Sequence, residues 1–416
     1  MICRNQLKIS ICKSPQSSKQ IIEGYNIKLF KCPFCGNSEP SSIGILNGKP
    51  YCRKCISFRG ERAKNIFSVS KEATIYLTYP LSKEQEELSK KLVSNYKKGI
   101  NSLVYAVTGS GKTEICLEVI KYCLNQRLKV GFAVPRRSVC GELKSRFQNY
   151  FRDNSVIAVF GGHHKRIEGD IVCLTTHQLF RYQHYFDLLI LDEMDAFPFK
   201  GNDVLEHFFE NAVKGNYVLL TATPSENVLK EFNKPGKDIL RLPVRFHRHP
   251  LPVPKVINGS MIYLYYKLIR KIKEFIDRDE QVFVFVPTVD DSKKISLFLK
   301  LFFKSGTYIN SKRNDNDSVI ADFRDKKYMY LVTTAVLERG VTVKGLQVIV
   351  FKADHSIYDS ASLIQIAGRA GRKIDAPEGE VIFFAKRTTK QIEKAICDID
   401  SNNQALQNLL QKDSNR

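Results

Sequence analysis

The sequence predicts an α/β protein with two parallel-sheet domains in tandem and a small N-terminal zinc-binding module. Three observations predict this fold class. Short apolar strands alternate with helices from about residue 103, and the alternation resumes near residue 282 after a proline-rich stretch. Two Cys-x-x-Cys pairs precede both regions. The length of 416 residues also exceeds what one ordinary core accommodates.

These features predict six segments along the chain. They are an N-terminal extension (1–30), a four-cysteine module (31–66), a first sheet domain (71–228), a linker (229–255), a second sheet domain (256–389) and a C-terminal helix (390–416). Prolines recur in the linker, where they remove the donors that helices and sheets need. Near the start of the second domain, one helix face is predicted from Ile262, Tyr265, Ile269, Ile272 and Ile276. Isoleucines at 392, 396 and 399 predict that the C-terminal helix packs on that domain.

The charge of the chain indicates a polyanionic partner. Lys and Arg outnumber Asp and Glu by 65 to 43, and the excess of +22 is spread along the length. Such a surface favours nucleic acid through counterion release, although a solvated basic surface or an anionic membrane contact is an open alternative. No apolar run reaches the roughly 18 residues of a membrane span, and polar residues interrupt the N-terminus too often for a secretory signal. We therefore expect a cytoplasmic protein, at most peripheral on the inner face of the membrane.

Four of the eleven cysteines form a metal-site pattern. Two Cys-x-x-Cys pairs are separated by 16 residues, and each pair can direct two sulfurs at one point. The predicted zinc ligands are Cys32, Cys35, Cys52 and Cys55. Four sulfur ligands leave no open coordination position, so the zinc would be structural. Between the pairs, Asn47-Gly48 predicts a hairpin turn. Whether the basic residues of this module also hold DNA, or only offset the charge of the tetrathiolate, stays open.

A phosphate-binding loop follows the first strand of the first sheet domain. The strand 103–107 leads directly into a glycine-rich loop and then a helix, the order that a phosphate loop requires. The loop residues predicted to bind ATP are Thr108, Gly109, Ser110, Gly111, Lys112 and Thr113. Lys112 would reach the β- and γ-phosphates, and Thr113 would ligate Mg²⁺.

An acidic sequence follows a later apolar strand, 186–191. Asp192 is predicted to bind Mg²⁺, and Glu193 to orient and deprotonate the attacking water. Alone, an acidic pair after a strand is as consistent with a helix N-cap. A further strand at 217–220, followed by Thr221-Ala222-Thr223, favours the catalytic interpretation.

In order along the chain, these motifs resemble motifs I, II and III of superfamily 2 helicases. The resemblance implies two RecA-like domains and suggests that Gln85, in Leu-Ser-Lys-Glu-Gln, recognises adenine. It also implies contacts to the nucleic-acid backbone, although an ordinary loop is as consistent with the glycine pair. The predicted contacts in the first domain are Pro135, Arg136, Arg137, Gly161, Gly162, Thr175 and Thr176.

The second domain carries sequences similar to helicase motifs V and VI. The first, at the end of the run 330–334, would contact nucleic acid through Thr334 and Arg339; Thr342 stands where many relatives carry aspartate. In the second, Gln-Ile-Ala-Gly-Arg-Ala-Gly-Arg, helical spacing predicts one face shared by Gln365, Arg369 and Arg372. The resemblance assigns these arginines to the γ-phosphate, where a guanidinium stabilises developing charge. A basic surface helix is the alternative interpretation.

The full set of motifs, with a cysteine module before them, is similar to the ComFA family of competence-associated DNA-uptake ATPases over about residues 31–386. This resemblance implies an ATP-dependent translocase stimulated by single-stranded DNA, at the membrane channel that admits transforming DNA. It also implies a phosphoribosyltransferase-like competence protein as partner. The sequence leaves open whether the chain also forms a homo-oligomer. Alternatives for function are a primosomal replication-restart helicase, a DEAD-box RNA helicase and an ATP-switched nucleic-acid-binding scaffold.

Overall fold

The protein, in a computed structural model, is described over residues 21–22, 25–26, 30–64, 71–163, 165–195, 199, 201–313, 315–334, 343–371 and 376–414. The chain divides into two compact units. The first combines residues up to Val104 with Thr113–Leu240, and the second combines Tyr105–Lys112 with residues from Arg241 onwards. None of the described helices joins the length and the hydrophobicity that crossing a bilayer requires.

Eleven strands and six α-helices lie between Ile21 and Leu242 among the described residues. The strands are β1 (Ile21–Ile22), β2 (Tyr25–Asn26), β3 (Ile43–Leu46), β4 (Lys49–Cys52), β5 (Asn101–Ala106), β6 (Val130–Val134), β7 (Val156–Val159), β8 (Ile171–Thr175), β9 (Phe186–Asp192), β10 (Val213–Thr221) and β11 (Lys237–Leu242). The helices are α1 (Lys83–Lys97), α2 (Lys112–Ile115), α3 (Leu117–Asn125), α4 (Arg137–Tyr150), α5 (Asp203–Ala212) and α6 (Glu226–Phe232). Short 3-10 helices cover Pro40–Ser42 and Thr176–Arg181.

Seven strands form the first large sheet, in the order β11-β5-β10-β9-β6-β8-β7. The four neighbouring pairs from β10 to β7 are parallel. Every residue of β6, β7 and β8 is buried. Continuous apolar strands of this kind are typical of a parallel sheet covered on both faces, as the sequence predicts.

The predicted hairpin in the cysteine module is confirmed. Strands β3 and β4 pair antiparallel, with Ile43 opposite Cys52 and Leu46 opposite Lys49. Both turn residues have positive φ, 50° at Asn47 and 71° at Gly48. Such a two-residue turn matches the twist of the paired strands.

Helix α1 is anchored at both ends. At its start Ser82 and Gln85 form a capping box, in which the Gln85 side chain accepts from the Ser82 amide at 2.8 Å. Near its end, the buried Asn95 amide donates to the Ser102 hydroxyl and to Asp238, each at 3.0 Å. These contacts attach the helix to β5 and β11.

The second large sheet has six strands, in the order β12-β17-β16-β13-β15-β14, and its five neighbouring pairs are parallel. The strands are β12 (Lys255–Asn258), β13 (Val282–Phe285), β14 (Gly306–Ile309), β15 (Tyr330–Thr333), β16 (Gln347–Phe351) and β17 (Val381–Ala385). The helices are α7 (Met261–Asp277), α8 (Val289–Lys300), α9 (Asn316–Arg324), α10 (Ser360–Ala367) and α11 (Lys390–Ser414). Ile392 and Ile399 of α11 are buried against this core, as predicted.

The predicted face of helix α7 is partly wrong. Ile262 is 85% exposed, whereas the residues that α7 buries are Leu264, Leu268, Ile272 and Phe275. Tyr265, Ile269 and Ile276 are partly buried beside them. Apolar residues occur almost all round this helix, so periodicity alone did not determine which stripe faces the sheet.

The linker predicted at 229–255 contains regular structure. It includes the end of α6 and the whole of β11, which forms the edge of the first sheet. Leu240 and Leu242 of β11 are buried. Buried and exposed residues alternate over only the last few positions of β11, which is too short a pattern to reveal a strand among the surrounding prolines.

Candidate nucleotide and nucleic-acid sites

The phosphate loop follows β5 and carries two residues in the left-handed region. Gly109 has φ of 80° and Gly111 has φ of 75°, conformations that side chains other than glycine rarely adopt. Lys112 Nζ lies 3.2 Å from the Ala106 carbonyl and 3.5 Å from that of Val107, so its ammonium is held over the loop. Thr113 is buried at the start of the following helix. The loop therefore suits phosphate binding.

The acidic residues lie at the carboxyl end of β9. Asp192 is the last residue of that strand and is in register with Leu220 of β10. Its Oδ1 accepts from the Glu193 amide at 2.9 Å, and Glu193 has a positive φ of 56°. A non-glycine residue in that region is uncommon and often marks a functional site.

A hydrogen-bonded link joins the acidic segment to the threonine triplet after β10. Thr221 Oγ1 donates to Asp195 Oδ1 at 2.8 Å, and Thr223 Oγ1 donates to Asp195 Oδ2 at 2.7 Å. The Thr223 amide in turn donates to Thr221 Oγ1 at 3.0 Å. One carboxylate thus ties together the loops that follow two neighbouring strands.

The glycines of the motif VI sequence end its helix. Helix α10 stops at Ala367, and Arg369 and Ala370 donate backbone bonds to carbonyls three residues back. The α-helical spacing behind the predicted common face of Gln365 and Arg369 therefore does not extend to Arg369, which lies in a tighter turn after the helix. Gln365 and Arg369 are both buried. Arg372 lies outside the described residues.

Close packing accounts for both glycines. A Cβ at Gly368 would lie 2.1 Å from Thr108 Oγ1, within the second compact unit. A Cβ at Gly371 would lie 2.1 Å from the Pro377 carbonyl, and Gly371 has φ of 59°. Neither site admits a side chain without displacement of its neighbours.

Sequence reasoning missed Arg245, which is 2% exposed and belongs to the second unit. Its Nη1 donates to the Gly371 carbonyl at 2.7 Å, and its Nη2 to those of Gly368 and Ala370, each at 3.2 Å. Its Nε donates to the Thr108 carbonyl at 3.3 Å. In the sequence, Arg245 is one of several basic residues between prolines, and nothing local distinguishes it.

The predicted nucleic-acid contacts of the first unit follow three neighbouring strands. The loops after β6, β8 and β7 leave the sheet at the same edge, because these strands are parallel and adjacent. A Cβ at Gly161 would lie 2.5 Å from Arg137 Nη2, so the loops after β6 and β7 meet. His177, after β8, has its pKa lowered by the partial loss of solvent around its exposed ring and then by the charge of Arg137. The structure thus brings Arg137, Gly161 and His177 together.

Several predicted contact residues are not exposed. Pro135 and Thr175 are buried, Thr176 is fully buried, and Arg136 is partly buried. Arg137, Gly162 and His177 are exposed instead. In the second unit Thr334 is buried, and Arg339 lies outside the described residues together with Thr342.

The four predicted zinc ligands come together in one cluster of buried thiols. Their sulfurs all lie within 4.8 Å of one another. Cys32 Sγ is 3.7 Å from Cys55 Sγ, and Cys35 Sγ is 3.6 Å from Cys52 Sγ. Tetrahedral coordination with Zn–S bonds of about 2.3 Å separates the sulfurs by about 3.8 Å. The donor set and its spacing therefore fit a zinc tetrathiolate.

Deprotonation of more than one thiol in this cluster is unfavourable without a bound cation. Hydrogen bonds from Cys35 and Cys55 lower the pKa of Cys32 to about 2. The hydrogen bond with that sulfur in turn raises the pKa of Cys35 to about 12, and Cys55 is raised further for the same reason. One thiolate suppresses its neighbours, so four thiolates require a bound cation.

Comparison with known proteins agrees with this arrangement. Residues 78–226 match the family model described as "Type III restriction enzyme, res subunit", and residues 267–373 match "Helicase conserved C-terminal domain". The competence protein ComFA of Streptococcus pneumoniae is 33% identical over 393 residues, covering 90% of each chain. The chain belongs to the ComFA family. The ComFA protein of Bacillus subtilis is 31% identical, over 88% of this chain and 84% of its own.

A solved structure supports the fold. The Saccharomyces cerevisiae protein Dbp5, bound to RNA and ADP BeF3, has a TM-score of 0.59 and 16% identity, covering 78% of this chain and 92% of its own. Together with the two family models, this likeness in fold identifies the two parallel sheets as RecA-like domains of the superfamily 2 helicase kind. This ComFA-family chain is a helicase-type enzyme that hydrolyses ATP, which implies Mg²⁺ as a cofactor.

Proposed function

We propose that this protein is an ATP-driven translocase on single-stranded DNA that acts in the uptake of transforming DNA during natural competence. The printed name of the two ComFA relatives supports the competence role. The observation that carries the DNA-binding part is the meeting of Arg137, Gly161 and His177 at one edge of the first sheet. An exposed arginine and exposed backbone at such an edge suit phosphate contacts, which track a strand without reading its bases.

We assign the ATP-site roles as follows. Lys112 exchanges the carbonyls of Ala106 and Val107 for phosphate oxygens when nucleotide binds, while Thr113 and Asp192 hold Mg²⁺. Glu193 orients the attacking water and accepts its proton. Gln85 recognises adenine, although its side chain also serves the capping box of α1. Bound Mg²⁺ supplies charge neutralisation for the phosphates.

In the second unit, Gln365, Arg369 and Arg372 are proposed to act on the γ-phosphate, as the helicase resemblance implies. Thr334 and Arg339 remain proposed nucleic-acid contacts. The proposed protein partners, a phosphoribosyltransferase-like competence protein and a membrane DNA channel at the inner face of the membrane, rest on the family resemblance.

We propose a structural zinc ion at Cys32, Cys35, Cys52 and Cys55, supported by the sulfur distances. Metal analysis of purified protein should find a single zinc ion per chain. A Cys32→Ser, Cys55→Ser double variant should lose it and unfold the module, as monitored by proteolysis. Full zinc content in this double variant would refute the assignment.

The decisive experiment compares ATP turnover with single-stranded DNA, duplex DNA and RNA. We expect single-stranded DNA to stimulate most strongly and Lys112→Ala to abolish turnover under all conditions. Lys121→Ala is a matched control, because that lysine belongs to helix α3 and not to the phosphate loop. Stronger stimulation by RNA would favour an RNA helicase. Nucleic-acid binding that depends on ATP but leaves turnover unchanged would favour the switched scaffold.

A further inference from the structure

The chain that leaves the second cysteine pair runs along the 3-10 helix Thr176–Arg181, which follows β8. The Ala63 amide donates to the Arg181 carbonyl at 3.0 Å, and Arg181 Nη1 donates to the Glu61 carbonyl at 2.7 Å. Arg181 is 3% exposed, and its Nε donates to Gln178 Oε1 at 2.6 Å. One buried guanidinium therefore joins the cysteine module to the 176–181 helix.

An aromatic cluster makes a second connection. The Phe58 ring lies nearly parallel to the His177 ring, with centroids 6.2 Å apart and 18° between planes. Phe58 also packs edge-on against Phe180 at 5.8 Å and Phe208 at 5.0 Å. The module shares one hydrophobic core with the first unit, since the four buried cysteines belong to the cluster that contains Phe180 and Phe208. Separation of the module would expose this apolar surface.

From these contacts we infer that the cysteine module is a brace, which holds His177 and the 176–181 helix in the orientation that engages nucleic acid. The inference rests on the proposed function, because His177 follows β8 and Arg137 follows β6, two adjacent parallel strands that end at the proposed nucleic-acid edge. Phe58 and Arg181 are positioning residues in this scheme. The module influences the bound strand through them and does not need to contact the strand itself.

The alternative is direct contact from exposed cations of the module, and its surface permits a separate test. Lys54 is paired with Glu39 at 2.7 Å, and Arg59 donates to the Ile56 carbonyl at 3.0 Å. Arg53 and Arg59 are both exposed, and Arg59 bonds within its own turn. An Arg53→Ala, Arg59→Ala double variant therefore removes charge without disturbing the brace.

Gly60 provides a variant specific to the brace. Gly60 is exposed and has φ of 148°, and a Cβ there would lie 2.4 Å from Arg181 Nη1. Gly60→Ala should displace the guanidinium without touching a cysteine or a core strand. Gly236→Ala is the matched control, because Gly236 is also exposed, has φ of 79° and would bring its Cβ within 4 Å of no atom. Both variants impose backbone strain, but only the methyl group of Gly60→Ala would contact Arg181.

The test measures anisotropy of labelled oligo(dT), ATP turnover against oligo(dT) concentration, and zinc content. For Gly60→Ala and Phe58→Ala we expect the half-stimulating oligo(dT) concentration to rise about tenfold, which corresponds to about 1.4 kcal/mol. Turnover without DNA, the KM for ATP and zinc content should match wild type. Gly236→Ala and Phe58→Tyr should respond like wild type, since Tyr keeps the ring.

Three results would overturn the inference or its basis. If the half-stimulating oligo(dT) concentration is unchanged in both Gly60→Ala and Phe58→Ala, the module contacts do not orient the 176–181 helix for DNA binding. A loss confined to the Arg53→Ala, Arg59→Ala variant would assign the module to direct binding instead. A wild-type protein that neither binds oligo(dT) nor responds to it would refute the proposed function itself, and the brace would then have no strand to serve.

Discussion

Asp195 offers a quantitative test of how the acidic segment is coupled to the threonine triplet. In Thr223→Val the hydroxyl that donates to Asp195 Oδ2 at 2.7 Å is replaced by a methyl group of similar size. A hydrogen bond to a charged group contributes about 1.5–3 kcal/mol, and the added methyl returns at most about 0.8 kcal/mol. We therefore expect the free energy of unfolding of the first unit to fall by about 1–2 kcal/mol.

The measurement is a double-mutant cycle of Thr223→Val with Asp195→Ala. The chain contains no tryptophan, so urea unfolding is best followed by circular dichroism, with the two units fitted as separate transitions. We expect a coupling energy of at least about 1 kcal/mol. Thr223→Ser is the control, because it keeps the donating oxygen. A coupling energy below about 0.5 kcal/mol, the usual limit of additivity, would refute the reasoning.

Three further predictions concern catalysis, a buried cation and pH. Glu193→Gln should lower turnover about 10²–10⁴-fold while fluorescent ATP still binds, because only the proton acceptor is lost; normal turnover would refute the assignment. Arg245→Met should lower the free energy of unfolding of the second unit by about 2–4 kcal/mol in urea titrations, because four carbonyls lose their donor. Arg245→Lys should recover only part of that free energy, and wild-type stability in Arg245→Met would contradict the expectation. Burial, and then the charge of Arg245, lower the pKa of His247 from 6.5 to about 4, so the unfolded chain takes up a proton first as pH falls. Stability should therefore decline as pH drops from 6.5 toward 4, and His247→Gln should reduce that slope.

Local residue types were sufficient wherever a function depends on neighbours along the chain. The phosphate loop needs glycines between a strand and a helix, and Gly109 and Gly111 indeed adopt positive φ. Two Cys-x-x-Cys pairs each form a unit by themselves, so the four-thiol cluster was predictable once the hairpin between them was recognised. The apolar strands before Asp192 and Thr221 were also evident, because a buried parallel strand is apolar on both faces.

By itself, the sequence determined the order of the motifs, the two α/β domains and the residues of the cysteine cluster. Only the tertiary structure decided where helix α10 ends, which face of α7 is buried and which backbone carbonyls the buried arginines bind. Arg181 donates a hydrogen bond to the carbonyl of Glu61, which is 120 positions away in the sequence. Arg245 donates to the carbonyl of Gly371, which is 126 positions away. Such partners are brought together by packing of whole elements, and a backbone carbonyl has no residue type that a sequence pattern could reveal.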